Sequence, residues 1–368
     1  MPSIIVLDKL SPDGLALLDA AGRLGISYEV KTGLSGEELK NVLASHDGAI
    51  CRSGVKITAD VLAGNHRLRA IVRAGVGTDN IDKQAATRQG IVVMNTPAGN
   101  TVSTAEHAFT LLLALSRNVA PADASLREHR WDRSKYMGVQ LAGKTLGIVG
   151  MGRIGQAVAS RARAFDMRVV VYDPFLAAER AGELGVELFG SVREMLPELD
   201  YLTVHTPLTD DTRHLIGKDE LSLLKPGVRL INCARGGIYD EEALLEGLES
   251  GVLAGAALDV FETEPCTESP LFGRPDVLVT PHLGASTEEA QSQVAIEGVN
   301  LLTDFLRTGT IRHSVNSSPI DPADLEGLRG FLDLGWRLGI LLSQLDDQPP
   351  KAVSIAYRAV SYTHLRAH

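Results

Sequence analysis

The chain has 368 residues, which at roughly 100–200 residues per domain points to two or three domains. Lys and Arg total 36 against 46 Asp and Glu, so the formal net charge is -10 and no basic footprint exists for a nucleic acid partner. Apolar residues at 44% and charged residues at 22% suit a globular protein with sizeable cores, which excludes disorder over most of the length.

The N-terminal run Ile4–Leu7 has no basic flank and reads as a strand, not a signal peptide. No apolar stretch approaches about 20 residues, so no membrane partner is expected. Cys51, Cys233 and Cys266 are too widely spaced for a disulfide framework or a zinc site. A cytoplasmic protein with reduced thiols and no metal is the expectation.

Strand-like runs follow at Ala49–Cys51, Ala70–Val72 and Ile91–Met94, with a helical pattern at Gly36–Ala44 ahead of the first of them. This rhythm means βα units and a mostly parallel sheet. A long helical pattern covers Thr101–Asn118. Six further strands are predicted at Leu146–Val149, Arg168–Tyr172, Tyr201–Val204, Arg229–Asn232, Ala256–Leu258 and Val277–Thr280. A second long helical pattern covers Ser286–Leu306. Two apolar helices bracketing one βα block suggest a domain inserted into another. The outer, substrate-binding domain would comprise residues 1–98 and 284–316, and the inserted one residues 99–283.

Ser317–Pro322 reads as a linker. Leu325, Leu328, Leu332, Leu338, Leu342 and Leu345 then recur at helical spacing, and Val353, Ile355 and Tyr357 alternate as in a half-buried strand. One helix and one strand cannot bury a core alone. Residues 317–359 therefore read as the truncated start of a third α/β domain. The last nine residues, Val360–His368, resemble one reading frame of a transposase sequencing adapter and are expected to carry no part of the fold.

The strongest local signal is Gly150-Met151-Gly152-Arg153-Ile154-Gly155, which follows an apolar strand and opens the helical pattern Gln156–Phe165. That is the context a dinucleotide fingerprint requires. Gly150 permits the tight turn, Gly152 lets the backbone approach a pyrophosphate, and Gly155 lets helix and strand pack closely. The helix N-terminus offers free N–H groups to the phosphates. Asp173, at the end of the next strand, would accept bonds from the ribose hydroxyls and repel a 2′-phosphate, which favours NAD over NADP.

Arg235, Glu264 and His282 each lie just after a predicted strand. In an open parallel sheet, ligands bind at the carboxyl ends of the strands, so the three converge on one crevice. Arg holds a carboxylate through two charge-assisted bonds. His titrates near neutral pH and exchanges a proton with a hydroxyl, and a carboxylate against it fixes its tautomer. The set fits a hydroxy-acid substrate.

These segments also carry a family resemblance over about residues 3–359. It rests on Cys51–Thr58, Arg73–Asn80, Asn95–Asn100, Val204–Pro207 and Pro281–Thr287. The chain resembles the NAD-dependent D-2-hydroxyacid dehydrogenases. The Arg52-Ser53 segment and the run Ala285-Ser286-Thr287 look particular to the branch that acts on phosphoglycerate. The resemblance implies a Rossmann dinucleotide-binding domain inserted into a flavodoxin-like α/β substrate domain, with NAD as cofactor. It implies His282 as general acid/base, Glu264 as its orienting carboxylate and Arg235 as the substrate carboxylate clamp. Cofactor contacts would come from Val76, Arg153, Ile154, Asp173, Thr206, Cys233, Ala234, Asp259 and the His282–Ala285 loop with Gly284. Substrate contacts would come from Arg52, Ser53, Arg73, Gly75 and Asn100. The implied reaction oxidises the 2-hydroxyl of 3-phosphoglycerate, the first step of serine synthesis, in a homodimer or homotetramer with Arg130-Trp131 as a candidate contact.

A doubly anionic substrate must enter a chain of net charge -10, so only local cations and exposed N–H groups can hold it. Two rivals stay open: a hydroxypyruvate or glyoxylate reductase of the same family, and an NADH-responsive binding or corepressor module. Tyr239 departs from the aliphatic residue usual after Gly236-Gly237-Ile238, which should alter packing and not chemistry. The Cys233 thiol is not expected to be a nucleophile. His205 competes with His282 but lacks a motif-matched carboxylate.

Overall fold

The computed structural model describes residues 1–316 together with Leu334, Arg337, Leu338 and Leu341. Five strands, β1 (Ser3–Val6), β2 (Ser27–Val30), β3 (Gly48–Cys51), β4 (Ala70–Arg73) and β5 (Val92–Asn95), form one sheet in the order β2-β1-β3-β4-β5. All its pairings are parallel, and the order is the flavodoxin-like one.

Seven more strands form a second parallel sheet in the order β12-β11-β10-β9-β6-β7-β8. They are β6 (Thr145–Val149), β7 (Arg168–Tyr172), β8 (Glu187–Leu188), β9 (Tyr201–Val204), β10 (Val228–Asn232), β11 (Leu253–Leu258) and β12 (Val277–Val279). The strand order reverses between β6 and β9, which is where doubly wound sheets open a crevice for a dinucleotide.

Both sheets are covered on both faces, as all-parallel sheets require, and their central strands are therefore continuously apolar. That is why β6, β9 and β10 are legible in the sequence to within a residue. The edge strands β2 and β8 are not. β2 exposes three of its four residues and β8 has only two residues, so neither carries an apolar run.

Two long helices connect the sheets. The helix Thr101–Ser116 follows β5 and packs on the helix Arg153–Ala164 and on β10–β12. It ends two residues earlier than its pattern predicts, because Asn118 turns into the left-handed region at φ 51° and a separate helix, Val119–Arg127, begins. The helix Glu288–Thr308 returns to the first sheet and packs on the helix Pro12–Gly22, β3 and β4. Its start lies at Glu288 and not Ser286, because the Thr287 hydroxyl caps it by accepting from Ala290 N (3.2 Å).

Tyr239 is buried, and its hydroxyl donates to Ile231 O (3.1 Å) and Leu202 O (3.3 Å), bridging β9 and β10. Its role is packing. No helix among the described residues is long and apolar enough to cross a membrane. The expected third domain and the C-terminal tail lie outside the described residues, apart from the helical positions Leu334, Arg337, Leu338 and Leu341.

Candidate active site

The glycine fingerprint is built as its residue types require. Gly150 sits at φ 92°, and a Cβ there would lie 2.7 Å from His205 O. At Gly155 a Cβ would lie 2.0 Å from Gly150 O, so only glycine lets the helix close on the strand. Gly152 faces open space as the N-cap of the helix Arg153–Ala164, and no side chain caps its first-turn N–H groups. Thr206 Oγ1, across the crevice, is buried without a partner. A dinucleotide pyrophosphate fits this cradle. Asp173 accepts from Met151 N (2.7 Å) and Phe175 N (2.8 Å), so its carboxylate also braces the glycine loop.

His282 Nδ1 lies 2.7 Å from Glu264 Oε2, leaving Nε2 as the ring nitrogen free to meet a substrate. The other Glu264 oxygen accepts from Phe261 N (3.1 Å). Burial pushes the Glu264 pKa up, but His282, the Phe261 N–H and the Arg235 charge outweigh it and hold the carboxyl below its ordinary value. The carboxylate is thus the stable form of the pair's acidic member. His282 itself stands in the left-handed region at φ 55°.

Arg235 projects from the end of β10 toward the first sheet. Its Nε donates to Asp79 Oδ2 (2.8 Å) and its Nη1 to Ala234 O (2.5 Å). The guanidinium passes over Gly77, where a Cβ would sit 1.8 Å from Nη2. Arg73 passes over Gly75 in the same way, with Nη1 1.4 Å from the position of a Cβ. Burial lowers the Arg73 pKa most, and the Arg235 and Arg52 charges lower it further, so three guanidinium groups share one region. Arg52 Nε, Arg73 Nε and Asn100 Oδ1 are buried without partners, while Ser53 is exposed beside them in sequence. Val76 is fixed by Asn95 Nδ2 donating to its carbonyl (2.6 Å).

Three residues expected as cofactor contacts, Asp259, Cys233 and Ala234, are buried. Asp259 is fully buried and accepts from Leu283 N (2.7 Å), Gly284 N (2.8 Å) and Thr280 Oγ1 (2.6 Å). Cys233 is buried, and burial together with the Asp259 charge raises its thiol pKa well above the ordinary value, so no nucleophilic thiolate forms there. Ala234 is likewise buried, whereas Ala285 is part-exposed and its carbonyl accepts from Gln291 Nε2 (2.6 Å).

Sequence reading missed Asp79 and His107. Asp79 lies in the quoted Arg73–Asn80 segment, but its partner is 156 residues away and no local signal pairs them. His107 sits in an apolar helix, Thr101–Ser116, and reads there as a core residue. It brings Nε2 to 3.1 Å from both Asp259 Oδ1 and Thr280 Oγ1.

His205, the competing histidine, bonds Thr203 Oγ1 through Nε2 (3.1 Å), and burial pushes its pKa down from 6.5 to about 4. Burial disfavours the protonated ring, so His205 is a weak base for a hydroxyl proton. The same shift fixes a stability prediction. The unfolded chain takes up this proton as pH falls below 6.5, and the folded chain only near 4. Stability is therefore lost across that window at up to about 1.4 kcal/mol per pH unit from this group. Urea unfolding between pH 4 and 6.5 should show a shallower acid slope in His205→Gln than in the parent; equal slopes contradict the assignment.

Two doubly wound parallel sheets, a glycine cradle and a carboxylate-paired histidine define the class of dinucleotide-binding α/β oxidoreductases. Residues 109–284 match the family model for the NAD binding domain of D-isomer specific 2-hydroxyacid dehydrogenases. The chain is 42% identical over 357 residues to a D-3-phosphoglycerate dehydrogenase of Methanocaldococcus jannaschii, covering 97% of this chain and 67% of that one. It is 44% identical over 354 residues to the enzyme of that name from Bacillus subtilis, covering 96% and 66%. A crystal structure of the TT0316 protein from Thermus thermophilus superposes with TM-score 0.77 at 36% identity, over 85% of this chain and 99% of that chain. D-lactate dehydrogenase from Aquifex aeolicus, complexed with NAD and lactic acid, superposes with TM-score 0.74 at 27% identity, over 86% and 99%. The chain belongs to the D-isomer specific 2-hydroxyacid dehydrogenase family, and its cofactor is NAD. It spans about two thirds of the length of the curated relatives it matches.

Proposed function

We propose that the chain catalyses NAD-dependent oxidation of 3-phospho-D-glycerate to 3-phosphohydroxypyruvate, the first step of L-serine biosynthesis. The observation that carries this reading is the clustering of Arg52, Arg73 and Arg235: burial and the other two guanidinium charges push Arg73 down, and Asp79, paired with Arg235, offsets only part of that repulsion. A substrate with a carboxylate at one end and a phosphate at the other relieves that repulsion, and a monoanion relieves less of it.

NAD, when bound, supplies the hydride acceptor. His282 Nε2 takes the proton of the 2-hydroxyl as the C2–H bond gives up its hydride, and returns a proton in the reductive direction. Glu264 holds Nδ1 and stabilises the imidazolium. Arg235 binds the carboxylate and keeps C2 aligned, with Asp79 bracing its Nε. Arg52, Ser53, Arg73, Gly75 and Asn100 receive the phosphate end. In this reading residues 1–98 and 284–316 form the substrate-binding unit and residues 99–283 the NAD-binding unit.

The phosphate assignment has a direct test in Arg52→Met. Its kcat/KM for 3-phosphohydroxypyruvate should fall about tenfold or more, while hydroxypyruvate stays within about threefold of the parent. Equal losses on both substrates count against a phosphate role for Arg52.

We further propose a cytoplasmic homo-oligomer. Val119, Leu126, Trp131 and Met137 are all more than half exposed and fall within one stretch of the chain in and after the helix Val119–Arg127, and exposed large apolar side chains are ones that subunits commonly bury. Sedimentation of the chain as a monomer at micromolar concentration would remove this proposal.

A further inference from the structure

His282 occupies a backbone conformation that non-glycine residues seldom adopt, and such conformations persist only where the surroundings enforce them. Here the enforcing contacts come from the strand ends beneath the loop. His282 N donates to the backbone oxygens of Asp259 (2.8 Å) and Thr280 (3.0 Å). The Asp259 carboxylate takes the next two N–H groups, Leu283 and Gly284, and the Thr280 hydroxyl. The loop is therefore wrapped around one buried anion.

That anion is held from behind by the helix Thr101–Ser116. His107 Nε2 lies 3.1 Å from Asp259 Oδ1, and one turn earlier Thr104 Oγ1 donates to Gly284 O (3.1 Å). The Asp259 carboxyl is held below its ordinary pKa: burial opposes ionisation, and the bonds from His107, Thr280, Leu283 and Gly284 outweigh it. Asp259 is thus an acceptor only, so the proton of this contact belongs to His107 Nε2. Cys233 Sγ lies within 4.8 Å of the same atoms, but His107 Nε2 is already committed to Asp259 and Thr280.

We propose that His107 is a positioning residue for the reaction: by donating to Asp259 it fixes the loop that aims His282 at its partner Glu264 and at the substrate. This rests on the role given to His282 above. Without His107 the buried carboxylate loses a donor from the helix side, the loop loosens, and the 2.7 Å His282–Glu264 contact opens part of the time.

The test uses the 368-residue chain, with NADH consumption on 3-phosphohydroxypyruvate followed at a fixed pH. His107→Ala should lower kcat about tenfold or more, with the KM for the keto acid and the NADH dissociation constant within about threefold. His107→Gln, which keeps an N–H donor near the Nε2 position, should recover activity to within about threefold of the parent. Thr280→Val removes the hydroxyl from the same web and should reproduce the kcat loss, which covers the case in which His107→Ala does not fold. A kcat unchanged in His107→Ala, or glutamine and alanine variants that fall equally, would overturn the proposal. An unchanged kcat in Thr280→Val would overturn it as well. His282→Ala is run in parallel: if that variant still turns over, the reading of His282 fails instead.

Discussion

Replacing His282 with alanine should lower turnover by about 10²–10⁴-fold, the span that a positioned proton-transfer group typically supplies. The side chain is about half exposed and, among the described residues, its charged partner within ion-pair distance is Glu264, so its removal leaves the glycine cradle and the buried Asp259 web intact. NADH affinity, read from fluorescence titration, should stay within about threefold of the parent. The φ of 55° complicates alanine alone, because its backbone disfavours that region. His282→Asn tolerates left-handed backbone and removes the same base, so it should show the same loss. Turnover within a few-fold of the parent in either folded variant would remove His282 from the reaction.

Arg235→Ala should cost about 10²–10⁴-fold in kcat/KM for the keto acid, since two hydrogen bonds to a charged carboxylate are worth roughly 1.5–3 kcal/mol each. Its geometry predicts more than a loss of charge. Nε is held by Asp79 at 2.8 Å and the group lies over Gly77, so the remaining N–H groups are presented in a fixed plane. Lysine lacks that fork, so Arg235→Lys should recover little. Steady-state kinetics with NADH saturating separates the cases. Near-parent kcat/KM in the lysine variant would mean that Arg235 acts as a point charge and not as a bidentate clamp.

Much of this site is legible in the sequence because it is local. The glycine loop, its flanking strand and helix, and Asp173 lie within one short βα unit whose residue types each answer a steric or hydrogen-bonding need. The doubly buried strands read as apolar runs because both faces are covered. The rest depends on contacts made across the fold. Asp79 meets Arg235 only when β4 and β10 present their carboxyl ends to one another. His107 reads as a core residue until the helix Thr101–Ser116 packs beside β11 and β12. Asp259 lies just after a strand, at the level of the other site residues, yet its carboxylate points into the protein and organises the loop above it. Strand-end position identifies candidates for a crevice; burial and bonding decide which of them face it.

The central claim is that a guanidinium cluster selects a dianionic 2-keto acid. The most direct measurement is kcat/KM for 3-phosphohydroxypyruvate, hydroxypyruvate and glyoxylate, assayed in parallel by NADH consumption. A preference for the phosphorylated acid of more than about tenfold, roughly 1.4 kcal/mol of transition-state stabilisation, is the predicted result. Equal or better turnover of the unphosphorylated acids would contradict it and make the chain a broader 2-keto acid reductase on the same fold.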